Sequence, residues 1–128
     1  MSKKKDNCMS RAGQFGWNEL VTTNKKAATK FYSSLVGWKT KPFGKGSDYT
    51  LLMAGKEMAG GLMQCPKPGN PAQWISYVVV KNVDATVLKA LKLKGKICVP
   101  PMDVPDVGRI AVLQDPQGAT FGVFQPKA

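Results

Sequence analysis

The sequence predicts an α+β fold of two tandem βαβββ modules, and two internal similarities carry that prediction. Residues 17–23 and 74–80 each begin with Trp, run for seven strand-like residues and lead into an alanine-containing helical pattern. Near the end of each half, GLMQ at 61–64 resembles GVFQ at 122–125. Self-similarity of this kind is typical of a supersecondary unit that a chain uses twice.

The first Trp stretch aligns with the second when it is moved by 57 positions, which places Trp17 on Trp74 and Asn18 on Ile75. In this register we expect both tryptophans to pack beneath the helices as core residues. The similarity at the far ends has a spacing of 61, so the second half contains four additional loop residues.

The first half begins with a strand predicted at 16–23, followed by a helix that starts after the N-cap residue Asn24 and stops at Gly37. The apolar residues at helical spacing predict its buried stripe, which consists of Ala27, Ala28, Phe31 and Leu35. The remaining strands of this half are predicted at 38–43, 49–54 and 57–64, with turns at 44–48 and 55–56.

The second half repeats this order, with a strand at 74–80 and a helix at 83–94. DPQG at 115–118 predicts a hairpin turn, because Asp starts a turn, Pro presets φ and Gly leaves it. We expect the Pro-rich residues 100–107 to form a loop that acts as a mobile lid. The other strands are predicted at 96–99, 108–114 and 119–125, and residues 66–71 are predicted to be a linker.

The length of 128 residues is that of one ordinary domain with its own core. We expect a basic tail at 1–13 and a single domain at 14–128, with modules at about 14–66 and 72–126. No apolar run approaches the roughly 20 residues that cross a bilayer, and the N-terminus lacks the apolar segment of a secretory signal. The resulting expectation is a cytoplasmic protein without a membrane partner.

The cysteines and the charge exclude several classes of site. Cys8, Cys65 and Cys98 are odd in number and lack CxxC spacing, which predicts neither a disulfide framework nor a zinc site. The net charge of +11 favours acidic partners in general. The basic residues are spread along the chain, however, and no nucleic-acid-binding motif accompanies them. We therefore expect a small-molecule ligand and not a nucleic acid.

Three segments resemble motifs of the vicinal oxygen chelate superfamily, which contains glyoxalase I, bleomycin-resistance proteins and extradiol dioxygenases. Residues 28–38 are close to its AxxFYxxxxGW helix signature, VKNVDAT at 80–86 to VxDVDAT, and DPQG at 115–118 to DPxG. The resemblance implies curved sheets that enclose an open cavity for a divalent metal and the substrate. It also implies a homodimer, an arrangement that is common in the superfamily.

Metal-dependent members take four ligands from equivalent strand positions of the two modules, usually His, Glu or Gln. The resemblance assigns these positions to four residues that include no good ligand: Asn18, Gly61, Ile75 and Gly122. The chain has no His, and its two glutamates are Glu19 and Glu57. Because a catalytic divalent site normally needs three protein ligands, no metal cofactor is predicted.

Period-2 alternation from these positions predicts which side chains line the cavity. The predicted ligand-binding residues are Asn18, Leu20, Thr22, Gly61, Met63, Ile75, Tyr77, Gly122 and Phe124, with Arg109 as an anion contact at the cavity mouth. This surface is apolar and aromatic with a few hydrogen-bonding groups, as in small-molecule pockets. No catalytic residue is assigned, since nothing marks a Tyr, Glu or Lys as an activated base.

The predicted function is that of a glyoxalase- or bleomycin-resistance-like protein that binds a small apolar or anionic molecule between its modules without a catalytic metal. The strongly basic chain argues against cationic drugs as ligands. The alternative is a lyase or isomerase of glyoxalase type that works with an atypical metal site or none.

Overall fold

A computed structural model describes residues 11–43, 49–65, 71–105 and 107–127, which contain two α-helices and eight strands. The elements are β1 (Phe15–Thr22), α1 (Lys25–Val36), β2 (Lys39–Pro42), β3 (Thr50–Ala54), β4 (Glu57–Gln64), β5 (Gln73–Val79), α2 (Val83–Lys92), β6 (Lys96–Val104), β7 (Gly108–Gln114) and β8 (Thr120–Pro126). This order confirms the predicted α+β class and its two βαβββ modules. The predicted turn at 44–48 and most of the predicted linker at 66–71 lie outside the described residues.

The chain divides into two compact units, of which the first is Trp17–Ile75. Its strands follow the order β2-β3-β4-β1, in which β1 and β4 are parallel and the other pairs antiparallel. Three leucines from three strands form its buried core: Leu20, Leu52 and Leu62. Ala28 and Tyr32 of α1 pack on this core, so the leucines lie on the strand face that the helix covers.

The second unit contains Ser76 and the residues after it, together with the described residues before Trp17. Its strands follow the order β5-β8-β7-β6. Val83 and Val87 of α2 pack on a core from β7 and β8 that consists of Ala111, Leu113 and Val123. The end of the predicted N-terminal tail is attached to this unit, because the Gly13 N–H donates to the Val79 carbonyl at 2.7 Å.

Both helices begin at an asparagine that caps them in the same way. The Asn24 side chain accepts from the Ala27 N–H at 2.9 Å, and the Asn82 side chain accepts from the Ala85 N–H at 2.9 Å. Each bond satisfies a backbone donor that the first turn of a helix leaves without an intrahelical partner. At the other end, α1 stops at Gly37, whose φ of 78° is the left-handed conformation that glycine adopts most readily.

The structural register of the repeat differs by one residue from the register expected from the tryptophans. Asn82 lies 58 positions after Asn24, and the same offset relates Glu19, which pairs with Gly61, to Tyr77, which pairs with Gly122. The structural equivalent of Ile75 is therefore Trp17. The alignment of Trp17 with Trp74 was wrong, and a slip of one residue moves every side chain of a strand to the other face.

The buried stripe of α1 is also rotated from the predicted one. Ala28 packs inward as expected, with Tyr32 as its neighbour on the core. Phe31 and Leu35, both predicted to be buried, are 57% and 63% exposed. The helical spacing correctly predicted that α1 carries an apolar stripe. The helix has two adjacent apolar stripes, however, and the one that contains Ala28 and Tyr32 packs on the core, while the one that contains Phe31 and Leu35 is exposed.

Residues 100–104 continue β6 and do not form the predicted lid. Met102, Asp103 and Val104 pair with β7, and the register shifts on either side of Val99. β6 stands at the end of its unit's strand order, and an edge position tolerates proline because one side of the strand makes no ladder hydrogen bonds. The lid prediction is therefore wrong for this segment. The DPQG turn is as predicted, since Asp115 Oδ1 accepts from two backbone N–H groups of the turn.

Candidate functional site

The strand face opposite α1 carries a polar cluster in the first unit. On β1, Leu20 points toward the helix-covered core, so Trp17, Glu19 and Val21 alternate to the other face. Gly61 and Met63 of β4 pair with Glu19 and Val21 and share that face. Two of the predicted site residues, Gly61 and Met63, are thus on the expected side.

The three predicted site residues of β1 are Asn18, Leu20 and Thr22. They lie on the face that α1 covers and not on the face opposite the helix. Leu20 is 5% exposed and belongs to the core under α1. Thr22 is buried, and its hydroxyl accepts from the Asn24 N–H at 3.3 Å, which ties it to the start of the helix. Asn18 stands two residues before Leu20 on β1 and therefore shares its face. The assignment of Asn18, Leu20 and Thr22 to the cavity face was wrong because it followed the 57-residue register.

A hydrogen-bonded chain of three side chains occupies the face instead. Trp17 Nε1–H donates to Tyr49 Oη at 2.9 Å, and the Tyr49 hydroxyl is hydrogen-bonded to the Glu19 carboxylate. Burial raises the pKa of Tyr49 far above its usual value, and the nearby charge of Glu19 raises it further. Tyr49 therefore keeps its proton at physiological pH, and that proton is donated to Glu19.

The cluster is enclosed by apolar and aromatic groups. Glu19 is only 6% exposed, and the Phe43 ring lies edge-on to the Tyr49 ring with centroids 6.0 Å apart. A buried carboxylate is rare unless it is paired or hydrogen-bonded, and the Tyr49 hydroxyl supplies such a bond here. The arrangement resembles a functional site more than an ordinary core, because a core strand would place an apolar residue at this position.

Tyr49 also covers Gly61. A methyl group built on Gly61 would overlap the Tyr49 hydroxyl and ring, so any larger residue there would require the phenol to move. The second unit also has a glycine covered by a tyrosine, since a methyl group on Gly122 would overlap the ring of Tyr77. Tyr77 is 3% exposed and pairs directly with Gly122 in the parallel β5–β8 ladder.

The predicted residues of the second half are on the expected face of their strands. Tyr77 and Val79 alternate away from α2, and Gly122 and Phe124 pair with them. Ile75, two residues earlier on β5, is 5% exposed. Trp74 lies on the helix side as expected, where its Nε1–H donates to Tyr32 Oη at 3.2 Å, but 41% of it is exposed.

A four-ligand divalent metal does not fit these positions. Gly61 and Gly122 offer no donor, and a tyrosine ring fills the space that a ligand side chain would need at each of them. In the 58-residue register, the β1 position that would supply a metal ligand is Trp17 and not Asn18. The indole of Trp17 has no free lone pair for a metal. Across the described parts of the chain, no three His, Cys, Asp or Glu side chains come together as a cation site.

Arg109 is part of an ion-pair network and does not present a free cation. Its guanidinium contacts both oxygens of Asp84 at 2.8 and 3.0 Å and Asp103 at 2.9 Å. These hydrogen bonds lower the pKa of Asp84 and raise the pKa of Arg109. Arg109 also lines a surface cleft of about 320 Å³ with Gly108 and Gln125. With two carboxylates already on it, Arg109 is a poor anion contact.

Sequence reasoning missed Trp17, Glu19 and Tyr49 as site residues. Aligning the two N-cap asparagines would have produced the 58-residue register and placed Glu19 opposite Tyr77 in the repeat. Nothing in the sequence joins Tyr49 to Glu19, which lies 30 positions earlier. That contact depends on β4, which runs back along β3 after the tight turn at 55–56 and so brings Gly61 and its partner strand β1 near the start of β3.

Two curated relatives match the chain over most of its length. A protein of Mycobacterium tuberculosis named putative glyoxylase CFP32 is 41% identical over 120 residues, which cover 92% of this chain and 46% of the relative. Anthracycline biosynthesis protein DauV of Streptomyces sp. strain C5 is 31% identical over 129 residues, covering 88% of this chain and 47% of that protein. The chain thus spans about half the length of the curated relatives it matches. No family model matches it.

The fold is shared with solved structures at low sequence identity. A homoprotocatechuate 2,3-dioxygenase from B. fuscum, solved in complex with HPCA, superposes with a TM-score of 0.61 at 18% identity, over 89% of this chain and 32% of that one. The chain has the fold of the vicinal oxygen chelate superfamily. The resemblance predicted from three motifs is confirmed at the level of the fold. Neither helix in the described residues is long and apolar enough to cross a membrane.

Proposed function

We propose that this chain is a glyoxalase- or bleomycin-resistance-like module that binds a small organic molecule on the strand faces opposite its helices, without a catalytic metal. The observation that carries the proposal is the pair of covered glycines. At Gly61 and Gly122, where the superfamily resemblance would place metal ligands, tyrosine rings replace the ligand side chains. The face keeps its hydrogen-bonding groups in Trp17, Tyr49 and Glu19.

Native mass spectrometry of freshly purified protein tests the metal-free part of this proposal. We expect no tightly held divalent ion, either as purified or after incubation with Zn²⁺, Ni²⁺, Mn²⁺ or Fe²⁺ and dialysis. A co-purified organic ligand would support the binding function directly. Retention of one divalent ion per chain after dialysis would overturn the metal-free proposal.

Two tryptophans on opposite strand faces test where the ligand binds. Trp17 lies on the face opposite α1, whereas Trp74 contacts Tyr32 on the helix side. We expect a bound ligand to change the fluorescence of the native protein and of Trp74→Phe, but much less that of Trp17→Phe. An unchanged response in Trp17→Phe, with loss of the response in Trp74→Phe, would place the ligand on the helix side and contradict the proposal.

A lyase or isomerase of glyoxalase type is the second candidate, and one observation favours it. Glu19 is a buried carboxylate within an aromatic face, which is the kind of group that enzymes use as a general base. Turnover of a hemithioacetal that is lost in Glu19→Gln would establish this candidate. Its metal site would have to be atypical, since the superfamily's ligand positions are occupied otherwise.

A homodimer belongs to the same proposal. Phe31 and Leu35 form an exposed apolar stripe on α1, and exposed apolar stripes of this kind often mark protein interfaces. The mass spectrum that tests for metal also reports the oligomeric state, and a purely monomeric protein at micromolar concentration would contradict a stable dimer. The cytoplasmic location stays a prediction from the sequence.

A further inference from the structure

We propose that a cleft beside the start of α2 binds a small organic acid, whose carboxylate is held by Lys81 and Lys89 and whose apolar body covers the floor of the cleft. The cleft has a volume of about 390 Å³, which is within the range of small-molecule sites. All of its lining residues belong to the second unit. Neither Gly61 nor Gly122 lines it, so this is a second site beyond the function proposed above.

Segments that the fold holds in place form both walls of the cleft. One wall is the segment before β1, where the Gly13 N–H donates to the Val79 carbonyl at 2.7 Å and the Val79 N–H donates to the Gln14 carbonyl at 2.8 Å. The other wall is a face of α2, whose orientation is set by the burial of Val83 and Val87 in the core. The cleft therefore follows from the packing of the unit itself.

The lining residues of α2 and its N-cap lie on one face of the helix. They stand at positions i, i+3, i+4 and i+7 and are Asn82, Ala85, Thr86 and Lys89. Lys81, directly before the N-cap, also lines the cleft. Two lysines that are not neighbours in the sequence thus border the same cleft.

Both lysines are available for an anion. Among the residues that the structure describes, neither Lys81 nor Lys89 forms an ion pair or a hydrogen bond through its ammonium group. Asp84, the acidic residue in the first turn of α2, is held by Arg109 through both of its oxygens, at 2.8 and 3.0 Å. The nearest carboxylate in the sequence therefore does not neutralise the cleft.

Side chains, and not the N–H groups of the first helical turn, supply the donors. The N–H groups of Ala85 and Thr86 already donate to Asn82, through its side chain and its carbonyl. The Val83 N–H donates to Gln125 Oε1 at 2.9 Å. Each lysine ammonium has three donors and no acceptor, and its bonds to a carboxylate are roughly twice as strong as neutral ones. The ligand group that fits these donors is an anion.

The rest of the lining favours an organic acid over an inorganic anion. The floor and walls of the cleft are mainly apolar and include Ala12, Gly13, Val79, Val80 and Ala85. A phosphate or sulfate would leave this surface in contact with water, whereas the hydrocarbon part of an organic acid would cover it. The net charge of +11 also attracts an anion and repels a cation of the same shape.

Four probes test the inference on the unaltered full chain: benzoate, benzyl alcohol, benzylamine and inorganic phosphate. The first three share one shape and differ in charge, and phosphate carries charge without an apolar body. Dissociation constants are measured by NMR titration at low ionic strength, where exposed charges are least screened. We expect benzoate to bind tightest, with larger shifts at the backbone amides of Gly13, Lys81 and Ala85 than at the Trp17 indole N–H.

A matched pair of double variants then assigns the anion preference to the cleft. Lys81→Gln with Lys89→Gln removes the two charges that border it. Lys92→Gln with Lys96→Gln removes two exposed charges that do not line it. We expect the first pair to weaken benzoate binding roughly fivefold or more, as for two exposed ion pairs, and the second pair to change it less than twofold.

Ala85→Leu tests the cleft by volume and leaves both lysines in place. Ala85 is exposed on α2, so a larger side chain extends into the cleft and not into the core. Leucine is also a good helix former, which keeps α2 intact. We expect this variant to weaken benzoate binding roughly fivefold or more, because the leucine side chain takes the space of the ligand.

Each alternative outcome overturns a stated part of the inference. Benzyl alcohol or benzylamine binding at least as tightly as benzoate would contradict an anion site, and phosphate binding as tightly as benzoate would contradict an organic acid. Equal weakening by the two double variants, or unchanged binding in Ala85→Leu, would place benzoate outside the cleft. Shifts confined to the Trp17 indole would contradict this second site and support the binding face proposed above.

Discussion

The two units place different chemistry over equivalent glycines. In the first unit, Glu19 pairs with Gly61, and a tyrosine from outside that ladder, Tyr49, covers the glycine. In the second unit the residue equivalent to Glu19 is itself a tyrosine, Tyr77, which covers Gly122 with its own ring. One unit thereby gains a polar cluster, while the other presents a buried aromatic ring.

This difference shows how a repeated backbone can hold different side-chain chemistry without a change of fold. Each unit has a glycine beneath a tyrosine ring, so both units fill the equivalent position with an aromatic group. A single residue, Glu in one unit and Tyr in the other, decides whether that space holds a charge. A site on one unit alone is the expected result of such asymmetry, since only the first unit pairs its covered glycine with a carboxylate residue.

The helices differ in the same sense. α2 buries Val83 and Val87 against its strands, whereas α1 contains no fully buried residue. α1 instead rests on its core through Ala28 and Tyr32 and leaves larger apolar residues exposed. The second unit is thus held together by its helix more strongly than the first.

The sharpest test of the comparison is Gly122→Ala against Gly61→Ala. We expect Gly122→Ala to lower the free energy of unfolding by about 3 kcal/mol, the upper part of the range for overpacking, because the Tyr77 ring beneath it is 3% exposed. Gly61→Ala should cost about 1 kcal/mol, since Tyr49 is only half-buried and can move. Urea unfolding measures both. Equal costs would show that the two covered glycines are equivalent after all.

Val87→Ala and Val36→Ala make the same chemical change on the two helices. Val87 is 4% exposed and Val36 is 52% exposed. We expect Val87→Ala to cost about 2 kcal/mol from lost apolar burial, and Val36→Ala to stay within about 0.5 kcal/mol. Thermal or urea unfolding gives the comparison. A large cost for Val36→Ala would mean that a partner covers α1 in solution.

Tyr49→Phe tests whether the polar cluster contributes to folding. The variant removes the donor to Glu19 and the acceptor of Trp17, so we expect a loss of about 1.5 kcal/mol. The double variant with Glu19→Gln should lose less than the sum of the single variants, because the two groups interact directly. Strict additivity in this cycle would contradict the hydrogen bond between them.

Asn24→Ala and Asn82→Ala test the 58-residue register. Each removes an N-cap bond of 2.9 Å, and each should cost about 1 kcal/mol. Equivalent positions should give similar losses in matched urea unfolding experiments. A loss at Asn82 with none at Asn24 would show that the two helix starts are not equivalent.

The smallest expected effect concerns Asp84. Its pKa is lowered by hydrogen bonds from Arg109, so its contribution to stability is present above its unfolded pKa of roughly 3.9 and is lost as pH falls through the folded value. Asp84→Asn should therefore be slightly less stable than the native protein at neutral pH and equally stable in strong acid. Because the pair is exposed, the difference should shrink in high salt. A difference that persists at low pH would contradict this assignment.

Much of the fold followed from local patterns in the sequence. The order of strands and helices, the N-cap at Asn24, the glycine stop of α1 and the DPQG turn depend on short-range preferences that residues express wherever the chain places them. The absence of His and the scarcity of Glu were equally readable. These features predicted the fold of the superfamily and disfavoured its four-ligand metal site.

The tertiary structure alone decided which strand face is covered. Alternation along β1 shows that Trp17 and Leu20 point to opposite sides of the strand. It does not show which side packs against α1, and a one-residue slip in register reverses that assignment. The contact of Tyr49 with Glu19 likewise joins residues distant in sequence. Period and composition determine that a strand has two faces; only packing against the helix determines which of them is left for a ligand.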